Sequence, residues 1–303
     1  MSFAKSGYRI LSRILFGNLK KKFMKKYEYA TLTDYVMNNQ HNIVLPGWED
    51  FVDNKFGLTE LKKGLDAESI RLMRLFISRK LSAFSFLKKE KKMFKKIIRV
   101  NLSKYKIKNF EGFQPAVFYY KNGLSFLNEE VVKKTLANRC IIDGGACSGD
   151  SAIMFSQYKE VDSIYSFEPI KKICNDMAVT LELNKCERAH AVQKALSDGC
   201  STVDICGEQC ETITVDEFCK DKKIGCIKFD LEGMETSALK GSLETIKRDK
   251  PILLICLYHT ELDFYGIKPM LEALNLGYKF MIRDTEPCNP GAGVHLMLIG
   301  YVE

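Results

Sequence analysis

At 303 residues, the chain is long enough for one α/β domain together with an additional module. With 46% hydrophobic and 28% charged residues it lies in the globular range, and no run approaches the roughly 18 consecutive apolar residues of a membrane-spanning helix. Residues 1–139 hold 29 Lys+Arg against 12 Asp+Glu, whereas residues 140–303 hold 17 against 26, so a basic part suited to an anionic partner precedes an acidic one.

The first predicted element is a basic amphipathic helix over residues 5–26, where lysines and arginines alternate with apolar residues at helical spacing. Two interpretations remain open. The helix either lies on an anionic membrane surface as a peripheral contact, or it packs its apolar stripe on the rest of the protein and solvates its lysines.

A second helical pattern runs from Gly57 to about Val100 and contains a lysine-dense stretch from Lys88 to Lys96. A nucleic-acid groove would interleave aromatic side chains with the basic ones, but Phe94 is the only aromatic residue in that stretch. We therefore expect a solvated helix face there and no nucleic-acid partner. Residues 1–110 are predicted to form a smaller, basic, mainly helical region.

Residues 111–303 are predicted to form the main domain, with a core at 140–303. Ala116–Tyr120 is predicted as a short strand, and Asn128 as the cap of a helix that ends at Leu136. Strands and helices then alternate, which predicts a parallel sheet wrapped by helices. The predicted strands are Cys140–Asp143, Ser163–Phe167, His190–Ala195, Ile224–Asp230 and Ile252–Tyr258, and the predicted helices are Asp150–Tyr158, Ile170–Asn184, Glu235–Lys247 and Ile267–Leu274.

The end of the chain departs from this alternation. Two strands, Tyr278–Arg283 and Val294–Tyr301, follow each other around a Pro-rich and Gly-containing loop with no helix between them. They are predicted to pair as an antiparallel hairpin. A parallel sheet closed by such a hairpin is the arrangement of Rossmann-like class I methyltransferases, whereas a dinucleotide-binding dehydrogenase domain usually stays parallel throughout.

All eleven cysteines lie between Cys140 and Cys288, within the second part of the chain. Their number is odd, they fall in predicted core strands, and no cleavable signal peptide precedes them, which predicts free thiols in a reducing cytoplasm. The densest group, which includes Cys206 and Cys210, lacks the paired spacing of a zinc site. We therefore expect no metal site among them.

The turn Asp143–Asp150 follows the first strand of the predicted sheet. Glycines there let the backbone approach a ligand closely at the start of a helix. The glycines are Gly144, Gly145 and Gly149, which is not the GxGxxG pattern and weakens the prediction of a nicotinamide cofactor. Taken alone, the turn is also compatible with a merely tight connection between strand and helix.

An acidic residue, Glu168, ends the second predicted strand, 25 residues beyond Asp143. At that position a carboxylate can accept hydrogen bonds from both hydroxyls of a ribose. NAD and S-adenosylmethionine both carry a ribose diol, so Glu168 predicts a nucleoside-type cofactor. The glycine turn and the terminal hairpin favour S-adenosylmethionine.

A third group of polar residues ends the fourth and fifth strands of the predicted sheet. Strand alternation predicts Lys228, Asp230 and Glu232 on one side, with both carboxylates facing the cleft. Glu235 is explained by the preference of a helix start for acids. His259 follows the strand Ile252–Tyr258 and is the leading candidate for a general base, ahead of Glu232 and Asp230, although a structural histidine is equally compatible. His295 is expected to be structural.

From Phe118 to Glu303 the chain resembles the FkbM-type methyltransferases. The motifs that carry this resemblance are Gly123–Leu127, Ile142–Asp150, Tyr165–Pro169, Ala195–Asp198, Thr212–Asp216, Ile227–Glu235 and Leu239–Gly241. The resemblance implies a Rossmann-like class I fold and S-adenosylmethionine-dependent O-methylation, often of sugar or natural-product hydroxyls. Cys147 and Ser148 depart from the family pattern, as do Phe229 and Leu231, and these departures leave the acceptor open.

Carried over by position, the family's cofactor contacts fall on the turn, on the second strand and on two later loops. They are Asp143, Gly145, Ala146, Gly149 and Asp150 in the turn, Glu168 for the ribose, Ser197 and Asp198 for the adenine, and Asp230. For Asp198, a plain turn aspartate is the alternative.

These observations together predict a cytoplasmic methyltransferase that uses S-adenosylmethionine to methylate a sugar hydroxyl of a glycan or its precursor. Its basic N-terminal region is a candidate for peripheral contact with the inner face of a membrane or with an anionic substrate. Three alternatives remain: another acceptor, such as a protein, a lipid or a secondary metabolite; a non-catalytic cofactor-binding protein of the same fold; and a nicotinamide-dependent oxidoreductase.

Overall fold

The computed structural model describes residues 55–80, 104–108, 114–285 and 295–303. The predicted helix over residues 5–26 and the lysine-dense stretch from Lys88 to Lys96 lie outside these residues. Within the described ranges, no helix combines the length and the apolar character needed to cross a bilayer.

The helices are α1 (Lys55–Lys62), α2 (Ala67–Lys80), α3 (Pro115–Phe118), α4 (Glu129–Leu136), α5 (Asp150–Phe155), α6 (Lys171–Leu183), α7 (Val215–Phe218), α8 (Glu235–Lys240), α9 (Leu243–Asp249) and α10 (Glu261–Glu272). A 3₁₀ segment spans Lys121–Phe126. The strands are β1 (Cys140–Gly144), β2 (Ile164–Phe167), β3 (Ala189–Val192), β4 (Ala195–Leu196), β5 (Thr202–Ile205), β6 (Glu208–Ile213), β7 (Ile224–Phe229), β8 (Ile252–Cys256), β9 (Lys279–Asp284) and β10 (Leu296–Tyr301).

Seven of the described strands form one sheet in the order β3-β2-β1-β7-β8-β10-β9. The first five run parallel, and β10 pairs antiparallel with both β8 and β9. The predicted parallel sheet with a terminal antiparallel hairpin is therefore confirmed. Because β1 and β7 are neighbours at the centre, the loops that leave their carboxyl ends meet at one edge of the sheet.

The central strands are buried on both faces, as their largely apolar sequences predict. Every residue of β1, β7 and β8 is buried. One core cluster fills the face that carries α8, α9 and α10, and a second fills the face that carries α4, α5 and α6. This frame is rigid enough to fix the strand ends on which the polar side chains stand.

The N-terminal helices α1 and α2 pack against the first of these faces. Leu61, Met73 and Phe76 join its core cluster, and the Phe76 ring stacks on that of Phe264 with 5.1 Å between centroids. At the β9 edge, Arg283 donates to both carboxylate oxygens of Asp66. The described helices before residue 110 therefore share the core of the main sheet.

The structure differs from the sequence predictions at several places. Residues 116–120 are not a strand: Pro115 occupies the first turn of α3, where its fixed φ suits a helix start, and Val117 and Phe118 are buried beside Met154. The hairpin of β5 and β6 was missed, although Gly207 at φ +85° marks its turn. The predicted helix Glu235–Lys247 is two helices, because at Gly241 the backbone touches another loop.

The predicted helix Ile267–Leu274 begins earlier than expected. Thr260 is the N-cap of α10, since its hydroxyl accepts from the amide of Asp263, and the helix already starts at Glu261. This start directly follows His259, so the cap fixes the point at which the chain leaves β8 and enters the next helix.

Candidate active site at the carboxyl edge of the sheet

The turn after β1 is held by the backbone contacts that its sequence predicts. Gly145 and Gly149 have left-handed φ values of +70° and +80°. A Cβ atom on Gly145 would lie 1.9 Å from the carbonyl oxygen of Asp230, so only glycine lets the loops after β1 and β7 press together. The amides of Gly145 and Ala146 donate to the carbonyl of Phe167, which ties the turn to β2 as well.

A buried lysine lies under this turn. Lys228 is 4% exposed, and its Nζ donates to the carbonyls of Gly144 (3.1 Å) and Gly145 (3.0 Å) and lies 3.2 Å from Oδ1 of Asp143. Burial alone would lower the pKa of Lys228, but the charges of Asp143 and Asp230 outweigh burial and raise it. Lys228 therefore stays cationic and fixes the turn from below.

Asp143, predicted as a cofactor contact, is fully buried beneath the turn. Besides the ion pair with Lys228, its Oδ2 accepts from the hydroxyl of Ser166 at 3.1 Å. The structure thus gives this carboxylate a role in holding the turn, and any contact with a cofactor passes through the turn that it supports.

Glu168 lies at the end of β2 and is 7% exposed. Its Oε1 accepts from the amide of Ile170 at 3.0 Å. Burial raises the pKa of Glu168, although hydrogen bonds from the amides of Ile170 and Cys147 act in the opposite direction. The amide of Cys147 belongs to the glycine turn, so the carboxylate stands beside the turn, as a ribose contact requires.

Ser197 and Asp198 follow β4 and are fixed against the helix α8. The hydroxyls of Ser197 and Ser237 are 3.2 Å apart, and the amide of Asp198 donates to the Ser237 hydroxyl at 3.3 Å. A Cβ on Gly241 would lie 2.2 Å from the carbonyl oxygen of Ser197, which explains why the helix breaks there. The side chain of Asp198 is exposed, so its predicted adenine contact stays a prediction.

The structure brings His259, Asp230 and Glu232 together, as predicted. Nε2 of His259 lies 3.5 Å from Oδ1 of Asp230 and 3.6 Å from Oε2 of Glu232. The predicted reason was wrong, because β7 ends at Phe229 and strand alternation does not extend to Glu232. Glu232 reaches the histidine through a loop in which it and Gly233 have left-handed φ values of +54° and +102°.

Glu235 is the residue that sequence reasoning missed, since it was interpreted only as a helix-start acid. Its carboxylate is fully buried and accepts from the amides of Leu231 (2.6 Å) and Gly233 (2.9 Å). It also lies 2.7 Å from Nδ1 of His259. A carboxylate accepts hydrogen bonds, so Nδ1 carries a proton, and in the neutral ring the lone pair is on Nε2. The Glu-Gly-x-Glu spacing was the available signal.

The electrostatics of the edge follow from these contacts. Burial alone would lower the pKa of His259, but the hydrogen bond and charge of Glu235 and the charges of Asp230 and Glu232 outweigh it and raise the pKa. Burial alone would raise the pKa of Asp230, but Lys228, His259 and the Tyr258 hydroxyl lower it. That hydroxyl donates to Oδ1 of Asp230 at 2.7 Å. Asp230 is therefore a fixed anion beside the imidazole.

Three of these side chains, Asp230, Glu235 and His259, also offer ligand atoms within 4.8 Å of one another, a separation that a metal ion could bridge. Two backbone amides and the imidazole already occupy the oxygens of Glu235. The arrangement therefore suits orientation of the imidazole better than coordination of a cation.

The other described histidines lie elsewhere. His295 precedes β10 and stacks on Tyr258 with 4.3 Å between ring centroids, in the structural role expected of it. His190 in β3 stacks on Tyr165 at 5.3 Å and is exposed.

Comparison with known proteins gives a match to one family model and a similar fold. Residues 207–280 match the family model of the methyltransferase FkbM domain. No curated protein matches the chain. The chain is similar to a solved structure of the methyltransferase FkbM from Methylobacillus flagellatus KT, with 19% identity and a TM-score of 0.62. That similarity covers 84% of this chain and 61% of the other, so this chain spans about three-fifths of its neighbour's length.

Two further solved structures are more distant. An rRNA methylase from Streptococcus thermophilus has 14% identity and a TM-score of 0.41, over 57% of this chain and 93% of the other. A putative rRNA methylase from Clostridium thermocellum has 12% identity and a TM-score of 0.39, over the same 57% of this chain and 93% of the other. Residues 207–280 thus match the FkbM domain model, and the Methylobacillus structure shares the Rossmann-like fold of this chain, which agrees with the resemblance that the motifs predicted.

Proposed function

We propose that this protein is an S-adenosylmethionine-dependent O-methyltransferase. The observation that carries the proposal is the juxtaposition of two sites on one edge. The glycine turn and Glu168 form a nucleoside cradle, and the His259–Glu235 pair stands on the adjacent loops. Because Gly145 touches the backbone of Asp230, a cofactor held on the turn lies next to the imidazole.

The residues at the turn fit the cofactor. A side chain at Gly145 would collide with Asp230, so the turn keeps an open backbone surface for a ligand. Glu168 offers a buried carboxylate to the ribose hydroxyls, and a buried carboxylate gains from such donors. When bound, S-adenosylmethionine supplies a methyl group that its sulfonium activates for direct displacement.

His259 would take the proton of the acceptor hydroxyl. Glu235 fixes the ring orientation and the tautomer, so Nε2 faces the cleft as the basic nitrogen. When the acceptor hydroxyl is methylated, Nε2 of His259 would receive its proton. The imidazolium that results is stabilised by Glu235, Asp230 and Glu232, the same charges that raise the pKa of His259.

We propose a sugar hydroxyl of a glycan or glycan precursor as the acceptor. The motif resemblance supports this choice, and the edge is compatible with it. The carboxylate of Glu232 is 90% exposed and can accept from neighbouring sugar hydroxyls. Met234 and Leu262, 48% and 63% exposed, flank the His259 loop in sequence and offer apolar contact to a sugar ring. A protein, lipid or secondary metabolite remains the alternative acceptor.

The test combines acceptor discovery with matched histidine variants. Cellular glycans are compared with and without the protein to find a missing methyl group, and the isolated acceptor is then used with labelled S-adenosylmethionine. His259→Asn should lower turnover by about 10²-fold or more, whereas the control His190→Asn should keep it. Full activity of the His259 variant would remove the base assignment, and an unmethylated acceptor with intact cofactor binding would favour a non-catalytic binding protein.

We also propose that the basic N-terminal region holds the enzyme at an anionic membrane surface. The charge of residues 1–139 supports this, because they include 29 Lys and Arg residues but only 12 Asp and Glu residues. The full chain should float with anionic liposomes, and a chain without residues 1–26 should not. Equal flotation of the full chain and the truncated chain would contradict the proposal.

A further inference from the structure

A buried carboxylate, Asp263, contacts the residues that follow both members of the His259–Glu235 pair. Asp263 lies in the first turn of α10 and is fully buried. An ionisable side chain is rarely buried this completely unless hydrogen bonds satisfy it, so its contacts indicate its role. Its two oxygens reach two different elements, the loop that precedes α10 and the start of α8.

One oxygen of Asp263 holds the residue that follows His259. The hydroxyl of Thr260 donates to Oδ2 of Asp263 at 2.6 Å and accepts from the Asp263 amide at 3.1 Å. Because one hydroxyl makes both contacts, the rotamer of Thr260 is fixed together with the helix start. The methyl group of Thr260 packs on the neighbouring loop, where a Cβ on Gly233 would lie 3.0 Å from Cγ2.

The other oxygen holds the residue that follows Glu235. The amide of Thr236 donates to Oδ1 of Asp263 at 3.1 Å, and the Thr236 hydroxyl donates to the same oxygen at 2.8 Å. Amides in the first turn of a helix have no partner within the helix, and the N-cap residue of α8, Met234, makes no capping hydrogen bond with its side chain. Asp263 therefore caps α8 from a neighbouring helix.

These contacts close a ring around the candidate base. Glu235 lies 2.7 Å from Nδ1 of His259, and Asp263 joins the next residue of each, Thr236 and Thr260. The histidine and the glutamate stand on loops that follow different strands, so their separation depends on what ties those loops together. The strength of a hydrogen bond falls steeply with distance and angle, so a small shift of either loop would release the imidazole.

We propose that Asp263 is a positioning residue for methyl transfer: it holds Glu235 and His259 at the separation that orients the imidazole. This inference rests on the proposed function, in which His259 takes the proton of the acceptor. Asp263 is buried, so it acts through the two threonines. The rival explanation is an ordinary cap of α10. That explanation accounts for the contact of Asp263 with Thr260 and leaves both contacts with Thr236 without a purpose.

The test is an NMR titration of His259 in the full chain without ligands. Long-range proton–nitrogen correlation spectra report the pKa of the ring and the nitrogen that carries the proton, and His259→Asn assigns the signals. Asp263→Ala removes the whole tie. Thr260→Val removes one hydroxyl and no charge, so the charges of Glu235, Asp230 and Glu232 around the ring stay in place.

Two controls separate position from stability. Thr260→Ser keeps the hydroxyl that contacts Asp263. Asp249→Asn changes another buried aspartate, which accepts from the amide of Ile224 at the amino end of β7, the opposite edge of the sheet. This control should lower the melting temperature without changing His259. Circular dichroism checks that each variant folds, and if Asp263→Ala does not fold, Thr260→Val decides the question.

Asp263→Ala and Thr260→Val should each lower the pKa of His259 by about 1. Burial already lowers this pKa, and the Glu235 hydrogen bond that opposes burial would weaken. Both variants should also mix the two neutral tautomers, whereas the two controls should keep the wild-type pKa and tautomer. An unchanged His259 in both variants would reduce Asp263 to a helix cap. A shift in Asp263→Ala without one in a folded Thr260→Val would assign the effect to charge, and either result would overturn the inference.

Calorimetric titration of the same proteins with S-adenosylhomocysteine keeps this inference apart from the proposed function. The affinity should be unchanged in the variants, because the glycine turn and Glu168 are untouched. Its loss in Thr260→Val would show a general collapse of the edge and would also overturn the inference. Failure of the wild-type protein to bind S-adenosylhomocysteine would instead refute the proposed function, while the NMR titration would still decide whether Asp263 positions the histidine.

Discussion

Replacement of Asp150 by Asn should stabilise the ligand-free protein at neutral pH. Burial raises the pKa of this carboxyl from an ordinary 3.8 to about 6, so the folded state favours its protonated form. A difference of roughly 2 pKa units corresponds to about 3 kcal/mol at 1.36 kcal/mol per unit. At pH 7 the ionised carboxyl therefore costs the folded state up to about 3 kcal/mol, which a neutral asparagine avoids.

The pH dependence has a definite sign. Well below the ordinary pKa of 3.8 the carboxyl is protonated in both folded and unfolded chains, so the wild type and Asp150→Asn should differ least there. As the pH rises from about 4 to about 6, the unfolded chain loses this proton while the folded chain retains it, and the wild type loses stability relative to the variant. Above pH 6 the difference should be constant.

Urea denaturation followed by circular dichroism at constant ionic strength, from pH 4 to pH 7, measures this difference. All other titrating groups are shared by the two proteins, so their contributions cancel to first order in the comparison. A free-energy gap that is the same at every pH would refute the reasoning, because it would show that the carboxyl at position 150 does not change its protonation on folding in this range.

Three further substitutions test the site. Gly145→Ala should lower the free energy of unfolding by at least about 2 kcal/mol and abolish cofactor binding, because the new Cβ would lie 1.9 Å from the Asp230 carbonyl oxygen. A fully stable variant with a normal calorimetric titration would contradict the role of the turn. Lys228→Met should lower the free energy of unfolding, measured by urea denaturation, by about 3–5 kcal/mol, because it leaves the buried charge of Asp143 without its ion-pair partner. A second substitution, Asp143→Asn, should restore part of that stability. If it restores none, the unpaired charge is not the cause. Glu235→Gln should move the rise of kcat/KM to lower pH, since Glu235 raises the pKa of His259; an unmoved profile would separate His259 from the titrating base.

Much of the fold follows from local sequence patterns. Strands β1, β7 and β8 are largely apolar because both faces of the sheet are covered, and such runs are easy to identify. The hairpin of β9 and β10 was predicted because no helix separates the two strands. Residues 116–120 were predicted as a strand because aromatic and β-branched residues favour strands. Pro115 and the burial of the following side chains instead favour the helix α3.

The candidate site was only partly predictable, since it depends on contacts between distant residues. His259, Asp230 and Glu232 were identified because they follow buried strands. The role of Glu235 depends on the loop that folds it under the imidazole, and a helix-start acid in the sequence does not reveal that loop.

The central claim is that the glycine turn and Glu168 hold an adenosylmethionine-type cofactor beside His259. Calorimetric titration of the full chain with S-adenosylmethionine, S-adenosylhomocysteine and NAD tests it most directly, with Glu168→Ala as the paired variant. We predict binding of both adenosylmethionine ligands, weakened in the variant, and no comparable binding of NAD. Tight binding of NAD without binding of S-adenosylmethionine or S-adenosylhomocysteine would contradict the claim.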